Sequence, residues 1–315
     1  MSWQMVVNEK TILKAHLTKV PEERDGQRLD NFIQAQLPGV PRSVIYRVIR
    51  KGQVRINGGR AKPGTKLASG DMVRVPPAHI STGGPAHVPA NILEKIKSSI
   101  FHEHADFLVL NKPSGMAVHG GSGIKWGVID ALRQIYSNEE IELVHRLDRE
   151  TSGCLLLSRN LKALRTLRKQ FESRTTRKSY LCLAQGRITE DRQIVDQALA
   201  KAERSGERFM QVSESGKPAI TEFRLLEHYG RQSFIEAIPL TGRTHQIRVH
   251  AAFLGTPLAG DSKYSSESSL DYWKTKGLQR LFLHAHGLAF EYPEGIEQQI
   301  NIPLPQELRS VLDAI

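Results

Sequence analysis

The chain has 315 residues, 39% of them apolar and 24% charged, with a mean hydropathy of −0.36. This is an ordinary globular composition, with length for about two domains. Two cysteines, Cys154 and Cys182, exclude a disulfide scaffold and a four-cysteine zinc site. No apolar run reaches the ~18 residues of a membrane helix. No basic start with a long apolar stretch opens the chain, so a cytoplasmic setting with no membrane partner is expected.

The net charge of +11 is unevenly spread. Residues 20–77 carry eleven Lys/Arg against five Asp/Glu, and residues 159–178 carry eight against Glu172 alone. Concentrated positive charge suits a polyanion, because each phosphate contact releases a condensed counterion. The plainer alternative, a pair of solvated basic faces, stays open on charge alone.

Residues 1–19 show no clear period and read as a leader. Residues 20–77 read as a small module. Leu29, Phe32, Ile33 and Leu37 recur at helical spacing, and Pro38-Gly39 ends that helix. A second helix is predicted from Pro41 to Lys51, with Val44, Ile45, Val48 and Ile49 inward and Arg42, Arg47, Arg50 and Lys51 outward. Val54-Arg55-Ile56 alternates like a strand, and Asn57-Gly58 predicts a tight hairpin. Met72–Val75 reads as a further strand. Residues 78–97, rich at first in Gly, Pro and Ser, read as a linker.

The second domain is expected over 98–315. Phe107–Leu110 and Cys154–Leu157 read as buried strands, and 160–173 as a helix with Leu161, Leu164, Leu167 and Phe171 inward. Lys162, Arg165, Arg168 and Lys169 fall off that stripe. Strands follow near 178–185, 219–227, 232–239 and 280–292, with a helix near 245–254. Strands outnumber helices without alternating with them, so an α+β fold with a mainly antiparallel sheet is predicted.

Two stretches concentrate chemistry. His145-Arg146-Leu147-Asp148-Arg149-Glu150-Thr151-Ser152-Gly153 sets charged groups at the mouth of a buried strand. Asp148 between two arginines is a candidate nucleophile or electrostatic stabiliser, or simply a carboxylate that bridges a charged turn. Leu240–His250 packs Gly242, Arg243, Thr244, His245 and Gln246 at a helix start. His245 and His250 do not share a helical face, and His284 and His286 have no acid or cysteine nearby, so no metal site is predicted. Kinase, P-loop and serine-hydrolase motifs fail on order or missing residues.

His145–Gly153 resembles the signature of the RluA-type pseudouridine synthases. Asn111-Lys112-Pro113-Ser114-Gly115 with Val118-His119, Lys178-Ser179-Tyr180, and Gly242–His250 continuing to Asp261 fall in that family's order. Arg28-Leu29-Asp30 through Asn57-Gly58 resembles an S4 RNA-binding domain. The resemblance spans about residues 27–310. It implies isomerisation of uridine to pseudouridine, most like members acting on large-subunit ribosomal RNA, free or in an assembly intermediate. Uridines of other ribosomal or transfer RNAs, or a catalytically inert assembly factor, are the alternatives.

The reaction adds and removes nothing overall, so no cofactor, metal or obligate protein partner is implied. The resemblance assigns Asp148 as the essential carboxylate, Arg243 as its ion-pair partner and Tyr180 as the stacking aromatic with a phenol available for proton transfer. Arg146 would occupy the space of the extruded nucleotide or contact phosphate, and Leu283 would pack on the base or simply sit in the core. RNA contacts are expected from Arg42, Arg47, Arg50, Lys51 and Arg55, and from Lys162, Arg165, Arg168 and Lys169.

Overall fold

A computed structural model describes residues 11–37, 40, 42–80, 88–120, 124–204 and 207–315. The chain divides into two compact units, Met1–Val88 and Pro89–Ile315. Pro38-Gly39, Pro41, Gly121-Ser122-Gly123 and most of the first-read leader lie outside the described residues.

In the first unit the elements are β1 (Thr11–Leu13), β2 (His16–Lys19), α1 (Leu29–Gln36), α2 (Arg42–Arg50), β3 (Arg55–Ile56), β4 (Gly59–Arg60), β5 (Met72–Val75) and β6 (Ala78–Ile80). Four strands pair in the order β2-β5-β3-β4, and β1 pairs with β6. The predicted helix stripes meet as one core: Leu29, Phe32 and Ile33 pack with Ile45, Ile49, Val54, Val73 and Val75. Asn57 and Gly58 both take positive φ, as a two-residue hairpin between twisted strands requires. Buried Asp30 is fully satisfied: the Arg28 guanidinium donates to both its oxygens, and the Tyr46 hydroxyl donates at 2.7 Å.

The leader and linker boundaries shift. His16–Lys19 pairs with β5 as part of the module's sheet. Ala90–Ser98, inside the predicted linker, is a helix (α3) that buries Ile96. Its Ile92, Leu93 and Ile96 are apolar at helical spacing, a signal masked by the Gly/Pro-rich residues just before it.

The second unit continues with β7 (Ile100–Glu103), β8 (Phe107–Lys112), α4 (Val128–Ile135), β9 (Glu142–Leu143), β10 (Ser152–Ser158), α5 (Leu161–Ser173), β11 (Arg177–Ala184), β12 (Arg192–Asp196), β13 (Leu199–Arg204), β14 (Glu207–Val212), β15 (Ile220–Tyr229), β16 (Gln232–Pro239), α6 (Gln246–Phe253), α7 (Glu267–Thr275), β17 (Leu283–Glu291), β18 (Glu297–Asn301) and α8 (Gln306–Asp313). The large sheet runs β12-β15-β16-β11-β17-β10-β8-β7, with β18 on β17 and β9 on β10. It is antiparallel except between β10 and β17, as predicted for a mainly antiparallel α+β domain.

Alternation along β11 explains the layering. Tyr180, Cys182 and Ala184 face α6, with Ile247 and Ala251. Leu181 and Leu183 face Trp273 of α7 and Leu308, Val311 and Leu312 of α8. Among the described residues no helix is long and apolar enough to cross a membrane.

The parallel contact of β10 and β17 is two residues long, Ser152 with His284 and Gly153 with Ala285. Gly153 has φ +104°, and a Cβ there would collide with the Ala285 carbonyl. Replacing Gly153 with Ala therefore combines backbone strain with a backbone clash. We expect a loss of about 3 kcal/mol in urea denaturation; an unchanged unfolding midpoint would contradict the close approach.

His284, beside Gly153, closes a polar chain through the same junction. Arg280 donates to Ser152 Oγ at 2.6 Å, the Ser152 hydroxyl meets His284 Nδ1 at 2.9 Å, and His284 Nε2 meets the Ile302 carbonyl at 3.2 Å. With a carbonyl on Nε2, the proton sits there and Nδ1 accepts from the serine. Burial, opposed by the Ile302 carbonyl that accepts from the ring and helped by the Arg280 charge, lowers the imidazole to about 4. Between ~6.5 and ~4 the unfolded chain binds a proton that the folded chain does not. The stability is thus complete above ~6.5 and is lost as pH falls, at up to about 1.4 kcal/mol per unit. Imidazole NMR should show His284 still neutral at about pH 5; protonation near the ordinary value would refute this.

Candidate active site

A cleft of about 610 Å³ opens in the second unit where the loop before β10, the middle of β11, the loop after β16 and the start of β17 converge. It receives Arg146, Asp148, Tyr180, Arg243 and Leu283 from these four segments, together with Arg168 of α5.

The Asp148 loop is strapped from beneath. Lys112, fully buried at the end of β8, donates to the carbonyls of Pro113 (2.9 Å), Met116 (2.9 Å) and Arg149 (3.1 Å). Burial, with the nearby Arg280 charge, lowers this amine to about 7. The three carbonyls oppose that shift by accepting all three ammonium protons. Ser114 Oγ donates to the Glu150 carbonyl at 2.6 Å, and the Gly115 N–H to the Arg149 carbonyl at 2.9 Å. Asn111–Gly115, one of the stretches that carry the family resemblance, thus supports the Asp148 loop.

His145 starts the loop as a neutral ring. It stacks on Phe171 at 4.6 Å, and its Nε2 accepts the Leu156 N–H at 3.0 Å, which a protonated imidazole cannot do. Burial, then the Lys178 charge, lowers it to about 3.

The opposite wall is built by Gln246. Its Oε1 accepts from Thr241 Oγ1 (2.7 Å) and the Arg243 N–H (3.0 Å), and its Nε2 donates to the Ile220 carbonyl (2.8 Å). This fixes the turn that presents Arg243 and His245. The His245 backbone takes φ 55°, ψ 19°, and its N–H points at Asp148 Oδ2 at 3.4 Å. Arg248 and Asp261 form a buried bidentate pair, 2.7 and 2.6 Å.

Arg243 does not make the ion pair expected of it. Its Nε donates to the Pro218 carbonyl at 3.1 Å, and no ion pair joins it to Asp148 among the described residues. The Gln246 bond fixes its backbone, and its side chain runs to the cleft rim. The guanidinium that senses the Asp148 charge is instead Arg248, which remains committed to Asp261.

Tyr180 faces the cleft just after a register shift in β11. Burial, then the Asp148 charge, pushes its phenol well above the ordinary value. The group is therefore a neutral hydroxyl on an aromatic platform, able to donate a hydrogen bond and ill-suited to act as a base. Leu283 both lines the cleft and packs into the core.

Of the cations expected on α5, only Arg168 lines the cleft, bonded to the Leu143 carbonyl at 2.8 Å. Lys162, Arg165 and Lys169 lie on the exposed side of the helix. Arg174, Lys178 and Arg248 line the cleft although no site role was expected of them. The first two lie within the basic 159–178 run, which was the available signal. In the first unit Arg47, Arg50 and Lys51 are exposed and Arg55 is half-buried, while the side chain of Arg42 lies outside the described residues. No cluster of three or more metal-ligating side chains occurs among the described residues.

Residues 106–253 match the RNA pseudouridylate synthase family and residues 27–73 the S4 domain. The chain is 45% identical to ribosomal large subunit pseudouridine synthase C of Pasteurella multocida, covering 98% of this chain and 96% of that protein. It is 43% identical to the protein of the same name from Haemophilus influenzae, covering 98% of each. Among solved structures it is similar to human RNA pseudouridylate synthase domain containing 1, at 30% identity and TM-score 0.58, covering 70% of this chain and 87% of that one. The chain belongs to the RNA pseudouridylate synthase family, enzymes that isomerise uridine within RNA. Its N-terminal unit is an S4 domain.

Proposed function

We propose that this chain converts uridines of large-subunit ribosomal RNA to pseudouridine, with Asp148 as the essential carboxylate. The observation that carries the reading is a half-buried carboxylate beside a neutral phenol in a cleft lined by Arg146, Arg168, Arg174, Lys178, Arg243 and Arg248. Names of relatives at 43–45% identity support the choice of ribosomal RNA.

The cation-lined walls suit the phosphates that flank one extruded nucleotide. Extrusion costs a few kcal/mol, which those phosphate contacts offset. The base stacks on Tyr180 and rests on Leu283, while Arg146 fills the gap it leaves. The C1′–N1 bond breaks, the uracil turns, and a C1′–C5 bond forms. The C5 proton leaves to solvent, and N1 gains one. An ionised Asp148 serves attack at C1′, attack at C6 or removal of the C2′ proton alike. Arg243 swings from Pro218 toward a phosphate when RNA enters.

Asp148→Asn should abolish tritium release from RNA carrying 5-[³H]uridine, by at least about 10³-fold, with RNA affinity kept. Continued turnover would sink the assignment; a wild-type chain that binds the RNA but releases no tritium would instead favour an RNA-binding assembly factor.

The S4 unit grips structured RNA through phosphates rather than base edges, because the A-form major groove is too narrow to read. Arg47→Glu with Lys51→Glu should raise KM for ribosomal RNA about tenfold or more and reduce the salt slope of binding by about two. Turnover of a bound short RNA should be unaffected. Equal affinities for the two proteins across a salt titration would remove that role.

A further inference from the structure

We infer that Tyr264 is a positioning residue for Asp148, acting through His245; the inference rests on the reading of Asp148 as the essential carboxylate. The contact toward Asp148 is a backbone one, the His245 N–H aimed at Oδ2. It exists because a residue with a Cβ holds left-handed backbone angles at the first turn of α6. Such a conformation costs free energy and persists only where surroundings enforce it.

The enforcing group is the Tyr264 hydroxyl. It lies 2.8 Å from His245 Nδ1, and the two rings meet edge-to-face at 86°. The same oxygen accepts the Met210 N–H of β14 at 3.1 Å. With its oxygen accepting from Met210, the hydroxyl proton is directed to Nδ1, so the His245 proton resides on Nε2. Burial, then the Arg248 charge, lowers the imidazole and keeps it neutral, which the accepting Nδ1 requires.

Tyr264 is itself built rigidly. Asp261 Oδ1 accepts the N–H groups of Lys263 (2.9 Å) and Tyr264 (3.2 Å), folding residues 261–264 into a tight turn. Arg248, clamped on Asp261, lies over the Tyr264 ring at 5.1 Å from its centroid. The buried Arg248–Asp261 pair, which touches no reacting position, thus sets the phenol. The phenol sets the imidazole, and the imidazole sets the N–H that faces the carboxylate.

Tyr264→Phe removes the hydroxyl and keeps the ring over Arg248. The expected result is a three- to tenfold drop in kcat, with KM for RNA unchanged and the thermal midpoint lowered by only a few degrees, as the loss of the Met210 and His245 hydrogen bonds requires. His245→Asn, which tolerates the left-handed backbone but lacks the ring, should lose a similar factor. The double variant should be no worse than His245→Asn, since both act along one path. In RNA-free protein, the ¹⁵N shifts of His245 should report a single Nε2–H tautomer that becomes mixed in Tyr264→Phe. A full-rate Tyr264→Phe, a loss expressed in KM, or additive losses in the double variant would overturn the inference. The nitrogen shifts need no turnover, so they test the Tyr264–His245 link even if Asp148→Asn proves active and the functional reading fails.

Discussion

The site depends on how closely two strands approach. β10 and β17 run parallel for only Ser152–Gly153 against His284–Ala285, and this contact brings the loop before β10 beside the start of β17. Asp148 belongs to the first and Leu283 to the second. β11, antiparallel to β17, then sets Tyr180 level with Ala285. Three candidate residues from distant parts of the chain share one cleft because a glycine with φ +104° lets the backbones touch. Past that point the strands separate, β9 flanking β10 and β18 flanking β17. A longer parallel pairing would leave no mouth at which the charged loop could open.

Close approach alone would leave a mobile loop. The loop is held instead by backbone carbonyls gathered onto one buried ammonium, Lys112, and by Ser114 and Gly115 from the adjoining turn. The opposite wall uses one amide, Gln246, in the same manner. Both devices spend buried polar groups on backbone rather than on substrate, and each such group is satisfied. Six of the residues that line the cleft are Lys or Arg, against the carboxylates of Asp148 and Glu172. This division, with fixed polar groups behind and an excess of positive charge in front, lets the wall attract a polyanion while the carboxylate geometry is set before RNA arrives.

Much of this was legible in the chain. The helices of the S4 unit, the Asn57-Gly58 hairpin, β10, α5, β11 and the strands from β15 to β17 follow from apolar period and turn chemistry, which are local properties. α3 was hidden because it adjoins a Gly/Pro-rich stretch and buries only Ile96. The hairpin of β13 and β14 was hidden because Leu199–Arg204 and Glu207–Val212 are rich in charge and weak in alternation. The motif residues that meet in the cleft were legible through resemblance, since no local rule ties Asp148 to Tyr180 or Leu283.

The Arg243 side chain shows where such reading stops. A sequence can say that an arginine stands near an acid, but the choice between partners is made by neighbours far along the chain. Here Gln246 sets the Arg243 backbone and Pro218 offers its carbonyl, while the arginine five positions on, Arg248, is claimed by Asp261. The Asp148 carboxylate therefore faces a backbone N–H and a field of cations rather than one dedicated counter-ion. An acid held that way keeps its lone pairs available to an incoming ribose or base. An acid locked in a bidentate pair would first have to break that pair.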